Sequence, residues 1–393
     1  MKHYTIISTF PENRGSANVG DMMIREAEKS LIELIKGPTK FTTYFREDPL
    51  EDHLDEINRT DAVLMPVPIR DTPLYPNTIR LVECLSDIKV PIIAMPANYN
   101  VYPGDEVSRE NLVYSKETVD FLKFLANSMS YFPCREYYTC AILQKHGIQN
   151  TLMTGDPVWY DPAYFGKSMH RPEKINRLVF SPPLSPYYIS QAKELLTMLA
   201  ELYPDAERIC AMHLSDSGLN PYEDQRATND ASMSKDVATK NAQIRNFAEH
   251  CGFEVRELSG DVQKLEFYKD CDLHVGYECH AHVSFFRWRR PSVLIAEDAR
   301  GIGFNYTFGV GGFDGFRRCQ DDPLKSSNEG GTSGYCVTLD EYSTAPCDHT
   351  VIAKVRQFLI EEMNSKFRRY SGVAEFIDDT YKQVMEPFLK SIS

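Results

Sequence analysis

The chain has 393 residues, of which 42% are hydrophobic and 25% are charged, so it is long enough for two globular domains with sizeable cores. Its formal net charge is −13, from 43 Lys and Arg against 56 Asp and Glu, which argues against a general nucleic-acid-binding protein. An anionic small substrate therefore requires a local basic pocket.

The sequence carries no sign of a targeting segment or of a metal site. The first residues, MKHYTIISTF, favour a strand over a signal peptide because they lack a basic segment and a long apolar stretch. No window approaches the roughly 20 apolar residues of a membrane-spanning helix. The ten cysteines are scattered, without a CxxC pair or zinc-like spacing, so we expect reduced thiols, a cytoplasmic location and no bound metal.

The first half of the chain alternates short apolar runs with helical periodicity. After the first run, the loop PENRGSANVGD leads into a helical pattern that begins near Met22 and ends at the stop signal Gly37-Pro38. This alternation predicts a parallel sheet with crossover helices. Strands are predicted at 4–10, 62–67 and 90–95, and a second helix at 119–129.

Turn residues interrupt the pattern near residues 165–175, which predicts two domains, 1–168 and 174–393. The second domain repeats the alternation and ends in an amphipathic helical segment over 348–393. Two α/β halves that face each other leave a cleft at the carboxyl ends of their strands, where loops converge. The predicted strands of this half are 178–181, 208–213, 253–257, 271–275 and 292–296, and its helices are 190–202 and 240–251.

The loop Asn18-Val19-Gly20-Asp21 is the first candidate site. Its glycine allows a close backbone approach, and the start of the helix offers free amides to an anion or a hydroxyl-rich group. The structural alternative is that Asn18 or Asp21 simply caps the helix. A second loop, TGDP at 154–157, is explained by Asx-turn chemistry without any function.

The stretch GYECHAHVSFFRWRR, residues 276–290, is the third candidate. Glu278, Cys279 and His280 occupy a predicted strand-to-helix turn that faces the cleft. Histidine exchanges a proton near neutral pH, since its unperturbed pKa is about 6.5. His282 is expected to point away from His280 on the helix. Either histidine can instead be a hydrogen-bonded structural residue.

Signatures of several common enzyme classes are missing from the sequence. It contains no GxSxG, HExxH, Walker or GxGxxG motif, so a serine hydrolase, a zinc protease, a P-loop NTPase and a dinucleotide enzyme are not supported. The nearest match, Gly301-Ile302-Gly303, lacks the third glycine of a dinucleotide fingerprint.

The order of several features resembles the polysaccharide pyruvyl transferase family. No single motif is specific, but together they follow one another over most of residues 1–310 as they do in that family. They are N-x-G-D before a helix (18–21), R-[DE] after a strand (135–136), T-G-D-P (154–157), x-x-H-A before a helix (278–281), a proline and an apolar strand (291–296), D-x-[KR] (298–300) and F-x-x-x-x-G (304–309).

The resemblance implies a GT-B-like fold, in which two Rossmann-like domains face each other across a cleft, the first on the acceptor side and the second on the donor side. It implies transfer of the enolpyruvyl unit of phosphoenolpyruvate onto two hydroxyls of a sugar as a ketal, with release of phosphate and without a cofactor. His280 matches the family histidine and is the expected general acid. The expected acceptor is a surface polysaccharide or its lipid-linked precursor, and the latter would bring the protein to a membrane surface.

One position departs from the family at the expected donor site. Relatives carry an arginine two residues before the histidine, where this chain has Glu278. At an effective dielectric near 20, a carboxylate about 4 Å from a donor charge costs on the order of 4 kcal/mol. Compensation must come from arginines, so Arg300, Arg135 and Arg14 are the predicted donor ligands, with Glu278 and Cys279 beside them.

Three further arginines, Arg287, Arg289 and Arg290, end the same helical pattern. A helix C-terminus attracts cations, and this preference explains their position without any function. Arg300 and the arginines of the first domain are therefore preferred as donor ligands.

The acceptor side departs from the family as well. Relatives often carry glycine-rich loops where this chain has MPVPIR (65–70) and MPANYN (95–100), whose prolines stiffen the backbone and remove hydrogen-bond donors. Asn98 and Tyr99 are predicted sugar contacts together with Asn18, Gly20 and Asp21. The structural alternative is that these residues belong to an ordinary turn or pocket rim, where Asn and Tyr are equally common.

Two other functions fit the same scaffold. Glu278 favours a glycosyltransferase that uses a nucleotide sugar, because an acidic residue contacts the donor in many retaining GT-B enzymes. The second is a non-catalytic glycan-binding relative that has lost the donor site.

Overall fold

Two parallel sheets of six strands each form the body of the protein. The structure, a computed structural model, describes residues 1–12, 16, 18–69, 79–101, 106, 110, 114–214, 230–316 and 347–393. Helices pack on both sheets, and a helical segment follows the second one. The predicted architecture is confirmed: two Rossmann-like domains face each other in a GT-B-like arrangement.

The first sheet comes from the N-terminal part of the chain. Its strands are β1 (Lys2–Ser8), β2 (Thr39–Phe45), β3 (Ala62–Ile69), β4 (Ile92–Tyr99), β5 (Phe132–Cys134) and β6 (Thr151–Met153). The helices that accompany it are α1 (Val19–Lys36), α2 (Leu54–Ile57), α3 (Lys116–Ser128) and α4 (Tyr137–Lys145). The strand order is β2-β1-β3-β4-β5-β6. Because β2 and β3 lie on opposite sides of β1, the carboxyl ends of β1 and β3 border the crevice in which such sheets bind ligands.

The second sheet repeats this plan. Its strands are β7 (Arg177–Ser181), β8 (Glu207–Met212), β9 (Glu254–Glu257), β10 (Leu273–Gly276), β11 (Ser292–Ala296) and β12 (Gly312–Asp314). Its helices are α5 (Ile189–Leu202), α6 (Asp230–His250), α7 (Cys279–Arg287) and α8 (Ala299–Phe308). The order β12-β11-β10-β7-β8-β9 places the chain reversal between β7 and β10. The corresponding crevice therefore opens at the carboxyl ends of these two strands.

The C-terminal segment forms the helices α9 (Thr350–Ser365), α10 (Val373–Thr380) and α11 (Glu386–Ser391). The residues after α11 return to the first sheet, where the Tyr4 hydroxyl donates to the carbonyl of Ser393 at 2.6 Å. Nearby, Lys36 Nζ donates to the carbonyl of Ile392 at 2.6 Å. The domain limits 1–168 and 174–393 stay a prediction, and the end of the chain packs on the first domain.

The two halves contact each other close to the carboxyl ends of their strands. The backbone N–H of Ala299 donates to the carbonyl of Val101 at 3.0 Å, which joins α8 to the loop after β4. Trp159, which is fully buried, packs against Phe308 with 4.7 Å between ring centroids. These contacts fix the positions of the helix N-termini that surround the candidate site.

Candidate active site

Helix α7 begins at the crevice of the second sheet. The strand before it ends at Gly276, which is paired with Ser181 at the end of β7. A side chain at Gly276 has no room, because its Cβ would lie 2.6 Å from the backbone nitrogen of Ser181 and closer still to its oxygens. The chain then turns, and the N–H of Glu278 donates to Ser181 Oγ at 3.0 Å. This turn places Glu278, Cys279 and His280 at the carboxyl edge of the sheet.

Glu278 and His280 form a buried pair at the start of α7. Glu278 is the N-cap of the helix, and its Oε1 lies 2.8 Å from His280 Nδ1. Burial alone would raise the pKa of Glu278, but the hydrogen bond from His280 and the charges of His213 and Arg300 hold it well below its usual range. Glu278 is therefore an acceptor, which keeps a proton on Nδ1 of His280. His280 Nε2 is buried and has no hydrogen-bond partner among the described residues.

The imidazole of His280 lies against the first turn of α1. A Cβ at Gly20 would lie 2.5 Å from Cγ of that ring and closer still to Nδ1 and Cε1. Asn18 caps α1 by accepting from the N–H of Gly20 at 2.9 Å, and the N–H of Val19 donates to the carbonyl of His213 at 3.3 Å. Asn18 therefore caps the helix, which is the structural role considered for this loop. Gly20 packs against His280, and ligand binding at the loop stays a prediction.

Arg135 is a buried cation with unused hydrogen-bond donors. It is 3% exposed, and its Nη1 lies 3.9 Å from Asp156 Oδ2. Its guanidinium stacks 4.6 Å from the centroid of the Phe304 ring. Nε and Nη2 have no hydrogen-bond partner among the described residues. Because leaving such donors unpaired is costly, an anionic ligand is a natural partner for them.

Arg300 lies at the start of α8, where it pairs with its own N-cap. Asp298 Oδ2 is 2.5 Å from Arg300 Nη2, and both carboxylate oxygens lie within 3.1 Å of Nε. Burial and the charge of Asp298 raise the pKa of the Cys279 thiol, while Arg300 and Arg135 oppose this rise. Both arginines thus lie within electrostatic range of the start of α7, and Cys279 stays a thiol.

The other predicted site residues lie in different surroundings. Tyr99 is fully buried on β4, and its N–H donates to Thr139 Oγ1 at 2.8 Å. Asn98 precedes it and is partly exposed. Asp21 accepts from Ser16 Oγ at 3.1 Å. Arg14 falls outside the described residues.

At the far end of α7, two of the three arginines form ion pairs. Arg287 Nε lies 3.5 Å from Asp161 Oδ2, and Arg289 Nη2 lies 2.5 Å from Asp378 Oδ1. Arg289 also donates to the carbonyl of Phe286 at 3.2 Å, as expected of a cation at a helix C-terminus. These arginines stabilise the end of the helix opposite to His280.

His282 belongs to a buried network behind the helix. It is fully buried, and its Nδ1 lies 2.7 Å from Ser292 Oγ. The same hydroxyl lies 2.7 Å from Nδ1 of His274, whose Nε2 in turn lies 2.7 Å from Ser181 Oγ. Burial lowers the pKa of His282 to about 3, so it is neutral. His280 and His282 therefore have different surroundings: the first faces α1, and the second joins α7 to β11.

His213 was not singled out from the sequence. It follows β8, is 2% exposed, and its Nε2 lies 2.7 Å from the Tyr268 hydroxyl. Burial lowers its pKa to about 4, against the opposing charge of Glu278. Its Nδ1 has no hydrogen-bond partner among the described residues. The sequence did offer one indication that His213 lies near the site: it ends a predicted strand, and His280 was selected because it follows one.

Within the described part of the chain, no cluster of three or more His, Cys, Asp or Glu side chains is arranged to hold a metal ion. The helices of the same part include none with the length and apolarity required to cross a bilayer.

A comparison with models of protein families shows to which family the chain belongs. The model of the polysaccharide pyruvyl transferases matches residues 18–298. The chain belongs to this family. The match starts at Asn18 and ends at Asp298, so it includes α1, Arg135 and the start of α7. The protein is thus a transferase of polysaccharide biosynthesis, and membership in the family implies a saccharide acceptor.

A search of curated proteins found no match. Among solved structures, the UDP-GlcNAc 2-epimerase of Neisseria meningitidis bound to UDP-GlcNAc is 10% identical, with full coverage of both chains and a TM-score of 0.47. The corresponding enzyme of Rickettsia bellii is 12% identical, over 100% of this chain and 97% of that one, with a TM-score of 0.46. Anabaena HepE in complex with UDP and glucose is 14% identical, over 93% of this chain and 100% of that one, with a TM-score of 0.40. Such distant likenesses say nothing about activity.

Proposed function

We propose that the protein transfers the enolpyruvyl group of phosphoenolpyruvate to two hydroxyls of a sugar, with His280 as the general acid. The observation that carries the proposal is the buried pair of Glu278 and His280, at 2.8 Å, with His280 Nε2 left without a partner among the described residues. A proton donor with one ring nitrogen oriented by a carboxylate and the other available for substrate suits protonation of a vinyl carbon. The pair also lies where the two halves of the molecule meet.

The reaction proceeds in two additions to one carbon. Protonated His280 gives its Nε2 proton to the methylene carbon of the donor, and the first sugar oxygen bonds to the adjacent carbon, whose double-bond electrons have formed the new C–H bond. The proton of that hydroxyl returns to Nε2. The bond between this carbon and the phosphate oxygen then breaks, with both electrons leaving on phosphate. The second hydroxyl adds to the carbon, and its proton goes to the phosphate, so no further cofactor is needed.

Positive groups from both domains support binding of the anionic donor. Arg135 contributes two N–H groups without partners among the described residues, and Arg300 lies within range of Glu278. The N-termini of α1, α7 and α8 add their partial positive charges. Since the Glu278 carboxylate already faces His280, its charge is opposed by an imidazolium in the active form. The cost of about 4 kcal/mol expected for a bare carboxylate beside the donor is then largely removed.

The proposed acceptor is a sugar of a surface polysaccharide or of its lipid-linked precursor in the cytoplasm. Two hydroxyls of one sugar must reach the same carbon in turn, so the sugar has to be held firmly beside His280. The first turn of α1 is suited to this task because Gly20 contacts the ring of His280 and Asn18 and Asp21 flank it.

The test is phosphate release from phosphoenolpyruvate in the presence of methyl galactoside, glucoside and mannoside. We expect release with at least one of them, and a loss of about 100-fold or more in His280→Gln because general acid catalysis is removed. His349→Gln, which changes a half-exposed histidine paired with Glu194, serves as the matched control. Absence of release with every glycoside, together with absence of donor binding in calorimetry, would overturn the proposal. Thermal stabilisation by a UDP-sugar and not by phosphoenolpyruvate would point to a glycosyltransferase.

A further inference from the structure

A small pocket opens at the crevice of the first sheet, between the end of β1 and the first two turns of α1. Its volume is about 40 Å³, and its polar lining comes from Ser8, Thr9, Asp21, Arg25 and Glu28. Apolar walls are supplied by isoleucines and by Pro66 of β3. Because chain reversal in the sheet occurs between β1 and β3, this is the place where an α/β sheet binds its ligand.

Glu28 is a buried acid in the wall of this pocket. It is 2% exposed, lines the pocket, and its Oε1 makes no hydrogen bond to any described residue. Burial raises its pKa to about 8, although the charges of Lys29 and Arg25 oppose this rise. At neutral pH its carboxyl group is therefore mostly protonated and can both donate and accept a hydrogen bond.

Arg25 lies one turn earlier on the same face of α1. Its guanidinium stacks 4.4 Å from the centroid of the Phe10 ring, and its Nη1 is buried without a hydrogen bond to the described residues, 3.9 Å from Glu12 Oε1. The residues that line the pocket thus include one carboxyl oxygen and one N–H group without a partner in the described part of the chain. A hydroxyl group, which both donates and accepts, can satisfy the two at once.

The geometry points to Glu28 and Arg25 as the subsite that binds one hydroxyl, or one hydroxymethyl group, of the acceptor sugar. This assignment rests on the proposed function and names a part of the acceptor site. A volume of about 40 Å³ exceeds the roughly 10–15 Å³ that a cavity needs to hold one water molecule, so the pocket admits a hydroxyl or hydroxymethyl group. The phosphate of the donor is unsuited, because it is larger than a hydroxyl group and would face the acid Asp21.

The pocket and the reaction centre adjoin consecutive residues of α1. Asp21 lines the pocket and follows Gly20, which contacts the ring of His280. The helical rise from Gly20 to Glu28 is about 12 Å, so Glu28 is too distant to exchange protons with the reacting carbon. Glu28 therefore orients the acceptor without being a catalytic residue. A water molecule can fill the pocket in the free protein and be displaced by a hydroxyl that reproduces its hydrogen bonds.

The test compares Glu28→Ala and Glu28→Gln with Glu33→Ala and Glu33→Gln, which alter an exposed acid on the same helix. For Glu28→Ala we expect the KM for the acceptor glycoside to rise about tenfold, as for the loss of one hydrogen bond. The KM for phosphoenolpyruvate should stay within about twofold, because the donor does not reach the pocket. Glu28→Gln keeps a neutral donor and acceptor, so its acceptor KM should lie close to that of the wild type. An unchanged acceptor KM in Glu28→Ala would overturn the assignment.

A second measurement does not depend on the reaction. Saturation-transfer NMR detects methyl galactoside, glucoside and mannoside on the wild type and on Glu28→Ala without any donor. Weaker binding to Glu28→Ala supports the subsite even if phosphoenolpyruvate proves not to be the donor. Equal binding to both proteins, or binding of none of the glycosides to the wild type, overturns it. Failure of the proposed reaction and failure of the subsite are thus distinguished.

Discussion

Replacing Gly20 by alanine should lower the activity strongly while the protein stays folded. The new Cβ would lie 2.5 Å from Cγ of His280 and closer still to two other ring atoms. Favourable carbon contacts require about 3.5–4.0 Å, so the ring must withdraw by roughly 1 Å or more. The clashing atoms belong to a side chain and not to the backbone, so we expect His280 to move and the fold to persist.

The expected change in the free energy of unfolding of Gly20→Ala results from two opposing effects. Removing a glycine from a helix gains up to about 1 kcal/mol, whereas overpacking costs about 1–3 kcal/mol, so the free energy of unfolding should fall by no more than about 3 kcal/mol. Catalysis is more sensitive, since a displacement of about 1 Å at the reacting groups costs on the order of 100-fold in rate. The rate constant kcat should fall by about that factor, while the folded protein remains abundant.

The assay is phosphate release at saturating donor and acceptor, accompanied by thermal unfolding of the same samples. Gly372→Ala is the control, because a Cβ at this position meets no atom within 4 Å. Its kcat and melting temperature should match those of the wild type. A Gly20→Ala protein with the kcat of the wild type would refute the idea that contact with α1 positions His280.

Three further predictions concern buried charges. Glu278→Gln should lower kcat by about 10- to 100-fold, because the amide orients His280 less strictly. Because the folded-state pKa of Glu278 is depressed, its ionised carboxylate stabilises the wild type at neutral pH, and this stabilisation is lost as the pH falls below about 4.5. The excess stability of the wild type over Glu278→Gln in urea unfolding should therefore shrink below that pH. Arg135→Lys should weaken donor binding in calorimetry at least about tenfold, because the planar fork of the guanidinium is lost. The control Arg368→Lys, at an exposed position, should bind the donor as the wild type does. Equal donor affinities of the wild type and Arg135→Lys would contradict a role of Arg135 in donor binding. Glu28→Gln should gain stability relative to the wild type between about pH 5 and pH 8, by up to about 4 kcal/mol, because a folded-state pKa raised to about 8 makes ionisation oppose folding. A difference that does not vary with pH would show that Glu28 ionises normally.

Short-range patterns predicted much of the architecture. The alternation of apolar runs and helical periodicity indicated two parallel sheets, because strands and helices bury their faces with different periods. Boundaries were less well predicted. Helix α1 begins at Val19, three residues before the predicted start, because Asn18 caps it and Gly20 and Asp21 belong to its first turn. Strand β2 was not predicted, since its sequence TKFTTYF has few aliphatic residues.

The sequence also predicted which polar residues would lie at the crevice of the second sheet. Polar residues that follow parallel strands gather at one edge of a sheet, which brought Glu278 and His280 to the crevice. It did not determine which way their side chains point. Glu278 faces His280 and the first turn of α7. Under the proposed function, the residue that replaces the family arginine therefore orients the general acid.

Tertiary structure alone decided burial and pairing. Asp21, Arg25 and Glu28 follow one another at helical spacing, a pattern that is typical of a solvated face, yet Glu28 is 2% exposed because α1 packs on the ends of β1 and β3. Arg135 could not be distinguished from other arginines until its surroundings left two of its nitrogens without partners among the described residues. Local spacing determines which residues share a helix face or a sheet edge. What covers that face depends on segments far away in the chain, and their packing sets the charges and unsatisfied hydrogen bonds of the site.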